Sequence, residues 1–222
     1  MTRPPLPRRL EDLEGEIGGL FGREVTWEQD LSIGGAMTCL VERGAPRVRY
    51  REFTEADAAH ELLHLRLLGT SYPEVTCNQR QRHALGAATM LSNCLQHSRI
   101  FPILEDWGYR PRQTESEGLS KQLTILRDSD FSRLLTEFGF KALLAMLYAR
   151  ALADCLSSEL AGELKSICPP DIWGQVERMG TRVLRALDSA PMAEPAQAAL
   201  ILKGCLDHLG ISQVAKVKEQ GP

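Results

Sequence analysis

Strand signals in this chain stop at residue 53, and beyond it apolar residues recur at helical spacing. That division restricts the fold to a small sheet followed by a long helical region. Before it, Arg47, Arg49 and Arg51 alternate with Val48 and Tyr50, the period-two pattern of a half-buried strand. The turn at residues 42–46 connects this strand to Met37-Thr38-Cys39-Leu40-Val41, and Val25-Thr26-Trp27 adds a third β-prone segment. A hairpin within a sheet of about three strands is the expectation. Leu10, Leu13, Ile17 and Leu20 predict an opening helix over 10–21, with Gly22 placed to end it. The Pro- and Arg-rich residues 1–9 are expected to be flexible.

After residue 53, Thr54-Glu55-Ala56-Asp57 has the form of a capping box, and Gly69 is suited to a left-handed stop, so a helix is predicted over 55–68. A second helix is predicted from 78 to 99, with Pro102 starting or kinking a continuation that ends at Gly108. A polar loop at 110–118 and helices over 119–126, 131–160, 171–187 and 193–209 follow. The fold class expected is therefore α+β and predominantly helical, organised as a core over 10–118, a helical scaffold over 119–212 and a flexible tail over 213–222. Phe138, Leu143, Leu144, Met146, Leu147 and Leu152 make a nearly continuous apolar helix, read as core or as a homodimer contact through the C-terminal helices.

The composition excludes several classes. A chain of 222 residues with 43% hydrophobic positions can bury roughly 70% of its unfolded surface in one core, which disfavours disorder. A net charge of −3 disfavours a dedicated nucleic-acid binder. No run of about 18 apolar residues appears, and the basic N-terminus has no apolar stretch behind it, so neither a membrane span nor secretion is expected. No two of the six cysteines, Cys39, Cys77, Cys94, Cys155, Cys168 and Cys205, are separated by the two-residue gap of a zinc knuckle or redox motif. They read as reduced, mostly buried thiols of a cytoplasmic protein.

The motif that carries chemistry is His60-Glu61-Leu62-Leu63-His64. On a helix the two histidines sit one turn apart on the same face and can converge on one cation, with Glu61 rotated toward the edge of that face. Zinc fits such a pair: it takes neutral imidazole nitrogens and does chemistry where a coordination position stays open. Glu61 is then the candidate general base. A shuffled chain of this composition contains the pattern with a probability of about one in a hundred, so its placement in a capped helix behind a hairpin adds to the case.

With that motif in that setting, residues 36–108 resemble a zincin metallopeptidase, a superfamily built from a small sheet, an HExxH helix and a second helix bearing the third ligand. The resemblance covers about a third of the chain. It implies His60 and His64 as zinc ligands, Glu61 as general base, and a protein or peptide as substrate. The longer HExxHxxGxxH pattern of metzincins is excluded because Leu67 stands at its glycine position. Gluzincins place a Glu on the second helix, and residues 86–100 contain none.

That helix instead offers His97, with Asn93 one turn before it and Met90 extending the row. His97 is the expected third ligand, Glu105 the next choice and Asp106 below it. Asp57 is a candidate partner for the His60 ring. Tyr109, Tyr72 and His83 are candidate oxyanion donors, Tyr109 foremost. Arg80, Arg82, Arg110 and Arg112 are either attractants for acidic substrate segments or merely solvated. The expected activity is zinc-dependent peptide hydrolysis on a restricted protein substrate, since an unselective protease inside a cell would damage its host. The competing class is a non-catalytic helical regulatory protein with a structural or relic metal site, and a zinc hydrolase acting on another bond stands between the two.

Overall fold

The computed structural model describes residues 4–33 and 35–218. Residues up to Tyr72 together with Pro102–Tyr109 make one compact unit, and Pro73–Phe101 with residues from Arg110 onward make another. Among the described residues the architecture is α+β and predominantly helical, with nine α-helices, a three-stranded sheet and a two-stranded sheet. No helix among them is long and apolar enough to cross a membrane.

In the first unit, α1 (Arg8–Phe21) buries Leu10, Leu13 and Ile17 and ends at Gly22, whose φ of 63° supplies the left-handed cap. Strands β1 (Thr26–Gln29), β2 (Met37–Glu42) and β3 (Ala45–Tyr50) form a sheet ordered β1-β3-β2. β2 runs antiparallel to β3 as a hairpin, while β1 pairs parallel to β3, Trp27 opposite Val48. Trp27, Tyr50 and Phe53 meet edge to face at 6.1–6.4 Å between ring centroids. Against α1 and this hairpin packs α2 (Glu55–Gly69). Gly69 is not the stop expected of it. It is the last helical residue, and Ser71, at φ +61°, takes the left-handed position. The amides of Ser71 and Tyr72 return to the carbonyls of Leu68 and Leu67, the paired bonds of a Schellman ending. Gly69 serves packing instead, because a Cβ there would stand 3.0 Å from both Leu20 Cβ and Phe21 Cε2.

In the second unit, β4 (Glu74–Cys77) pairs antiparallel with β5 (Ala215–Lys218), Val75 opposite Val217. Both strands escaped the sequence reading, and residues 215–218, expected as tail, are ordered by this pairing. The alternation of Ala215 and Val217 with Lys216 and Lys218 was the available signal. α3 (Arg82–Asp106) continues through Pro102 and ends at Gly108, φ +87°. Residues 110–118 are not loop: α4 (Pro111–Arg127) starts there with proline at N1, where its missing N–H costs nothing.

The helix expected over 131–160 is broken into α5 (Phe131–Leu134), α6 (Phe140–Ala153) and α7 (Ser158–Ile167). Gly139 makes the first break with φ +82°, and a Cβ there would stand 2.6 Å from the Ala84 nitrogen. α6 is buried on most sides, through Phe140, Leu144, Ala145, Met146 and Leu147, so its apolar run is core. α8 (Pro170–Leu187) packs on it at Gly180 and also contacts α9 (Pro195–Leu209). All six cysteines are free thiols, and Cys94, Cys155, Cys168 and Cys205 are buried.

Candidate metal centre

α2 begins at Thr54, whose hydroxyl oxygen accepts from the Asp57 amide at 3.1 Å and whose O–H donates to Asp57 Oδ2 at 2.7 Å. Asp57 is thus occupied in the cap rather than at the His60 ring. The helix is apolar on nearly every side, burying Ala58, Ala59, Leu62, Leu63, Leu65 and Leu68, as expected of a helix inside a core. His64 is 7% exposed among them, and a polar ring in that position requires a partner. That partner is one turn away: Nε2 of His60 and Nε2 of His64 are 3.0 Å apart, with ring centroids at 4.7 Å. Two imidazole nitrogens at that separation either share one proton, a ring N–H donating to the other's lone pair, or point two lone pairs at one cation.

The separation is that of a hydrogen bond and is also compatible with the second description. Two nitrogens at about 2.0–2.1 Å from a tetrahedral cation lie about 3.3 Å from each other, close to the 3.0 Å found. His60 and His64 belong to the first unit, and His97 to the second. Three imidazoles are a donor set that zinc accepts.

His97, on α3, is 2% exposed and held on two sides. Its Nδ1 lies 3.0 Å from Oδ2 of Asp154, and its ring stacks on Phe101 with centroids 4.3 Å apart and planes 21° from parallel. The same Oδ2 accepts from the Cys94 thiol at 3.3 Å. Burial, and then the neighbouring Asp154 carboxylate, push the Cys94 thiol well above its ordinary pKa, so it stays protonated and donates. His97, Glu115 and Asp154 form a close group, but Glu115 is ion-paired with Arg150 through Nε, at 2.9 Å, and Nη2. A guanidinium on that carboxylate opposes a cation beside it.

The other expected residues lie elsewhere. The Tyr109 hydroxyl donates to Glu55 Oε1 at 2.5 Å, in the first turn of α2, and its pKa is pushed up to about 12 by burial and by that carboxylate. His83 Nε2 is 2.9 Å from Glu137 Oε2, and its ring packs against Phe140. Tyr72 is buried at 1% exposure, while Glu105 and Asp106 are exposed on the last turn of α3. Arg112 donates to the carbonyls of Ala153 and Asp154 and lies over the Phe101 ring, a structural use of a residue read as either a substrate attractant or merely solvated. Asp154 is what the sequence reading missed. It was hidden inside the helix expected over 131–160, and its contact with His97 spans 57 positions. Comparison of the chain with protein-family models, curated proteins and solved structures finds no match.

Proposed function

We propose that this chain is a zinc-dependent metallopeptidase acting on a restricted protein or peptide substrate inside the cell. His60, His64 and His97 are its ligands and Glu61 its general base. The observation that carries the reading is the 3.0 Å approach of two Nε2 atoms on α2, with a carboxylate one residue after the first. Zinc held by three imidazoles supplies a Lewis acid for the scissile carbonyl and lowers the pKa of water. Glu61 follows His60 by about 100° around the helix axis, so its carboxylate takes the proton of the attacking water and returns it to the leaving amine. Tyr109, the foremost oxyanion candidate of the sequence, gives its one O–H to Glu55 Oε1, so it is not assigned that role.

Glu61→Gln tests the reading. Purified wild type should hold close to one zinc per chain and the variant should retain it. Cleavage of a substrate found by proteome-wide terminus mapping should fall by about 10²–10⁴-fold in the variant. A variant that cleaves at the wild-type rate refutes Glu61 as base, and a wild type that takes up no zinc refutes the metal.

A further inference from the structure

We propose that Asp154 is a positioning residue that fixes the His97 ring in the tautomer able to bind metal through Nε2. The inference rests on the zinc reading and assigns a role to a residue outside the motif. A carboxylate only accepts hydrogen bonds, so the neutral His97 ring facing Oδ2 at 3.0 Å carries its proton on Nδ1, and the Nε2 lone pair becomes the coordinating one. Metal-ligating histidines commonly donate their other ring N–H to such an acceptor, which sets tautomer and orientation together.

The acceptor is itself held firmly. Asp154 is 3% exposed and caps α6, its amide returning to the Arg150 carbonyl at 3.0 Å. Arg112 Nη1 donates to the carbonyls of Ala153 and Asp154, both at 3.2 Å. Cys94 and His97 lie three residues apart, on one face of α3, and both contact the same Oδ2. Phe101 covers one face of the His97 ring. Ring rotation is therefore opposed from the edge and from the face before any metal arrives.

Asp154→Asn is the direct perturbation, because an amide of the same size can donate to Nδ1 and favour the other tautomer. Zinc affinity, read by competition with a chromophoric chelator, should fall about 10–100-fold, while Cys94→Ala, which removes the other donor on that oxygen, should bind zinc as wild type does. Long-range ¹H–¹⁵N spectra of the full chain should place the His97 proton on Nδ1, with and without zinc, and should show protonated Nε2 in metal-free Asp154→Asn. That spectrum, taken on wild type, decides the matter even if the variant does not fold. A wild-type His97 protonated on Nε2, or an Asp154→Asn chain with unchanged zinc affinity, overturns the role of Asp154 alone. A wild type that binds no zinc, or a His60→Ala variant that binds it undiminished, overturns the metal reading and this inference with it.

Discussion

Zinc should stabilise this chain, and His60→Ala should abolish the effect without disturbing the metal-free fold. A ligand that binds only the folded state stabilises it by about 2.7 kcal/mol when its free concentration is 100 times the dissociation constant. At about 2–4 °C per kcal/mol for a chain of this size, the melting temperature should rise by about 5–11 °C. His60 is the cleaner of the two motif histidines to remove. It is half-buried, whereas His64 is 7% exposed among the buried leucines of α2. Alanine is the best helix former, and α2 keeps its Thr54 cap and its buried face, so the metal-free variant should melt close to metal-free wild type. Removing His64 would also open a gap in the core, which confounds loss of metal with loss of packing.

The assay is scanning calorimetry of both proteins, each run with chelator and with buffered zinc. The expected result is a large difference between the two wild-type runs and none between the variant runs. Equal zinc-induced shifts in wild type and His60→Ala would refute the ligand assignment. A wild type indifferent to zinc would show that the 3.0 Å contact is a hydrogen bond between two rings and nothing more.

Two further predictions concern the frame around the site. Gly180→Ala places a Cβ 2.6 Å from Tyr148 Cδ1 and 2.8 Å from the Ala145 carbonyl oxygen; because backbone cannot yield as a side chain does, urea titration should show a loss of about 1–3 kcal/mol, and an unchanged midpoint would refute the close α6–α8 contact. Tyr109, held protonated by burial and Glu55, should ionise near pH 12 rather than 10. Its raised pKa therefore favours the folded chain below pH 10, an advantage lost as pH rises toward 12. Absorbance titration at 295 nm should lose that late phase in Tyr109→Phe, and a late phase that persists refutes the Tyr109–Glu55 contact.

Legibility in the sequence followed the range of the interactions. α1, the β2–β3 hairpin and α2 were readable because each is specified by residues within about four positions: the apolar stripe of Leu10, Leu13 and Ile17, the Arg–Val–Arg–Tyr alternation, the Thr54 cap. What escaped was settled at longer range or by backbone conformation. β4 and β5 pair across some 140 positions, as in Val75 with Val217, and the only local trace of either is the four-residue alternation of β5, too short to decide by itself. Gly69 and Gly139 were both ambiguous as isolated glycines. Packing against Leu20 and Phe21 kept the first helical, while the approach of Ala84 and a φ of +82° made the second a break. Pro111 is ambiguous in sequence because a proline ahead of polar residues resembles loop, although N1 is where a helix accepts it best.

The candidate site divides along the same line. His60 and His64 are related by helical geometry alone, so their convergence could be read from five letters and recurs in the structure as a 3.0 Å contact. His97 stands out in sequence only as the histidine of the next helix, and no local pattern distinguishes it from a core residue. What distinguishes it physically is Asp154, a buried carboxylate at the end of α6 facing Nδ1. Burying a carboxylate is costly unless its oxygens are satisfied, and here one oxygen accepts from a ring N–H and a thiol together. A core that only needed filling could take an apolar pair at that position with less desolvation. The pairing of a buried histidine with a buried aspartate therefore favours a demand on the histidine's other nitrogen, and coordination by Nε2 is the demand that the proposed metal site makes.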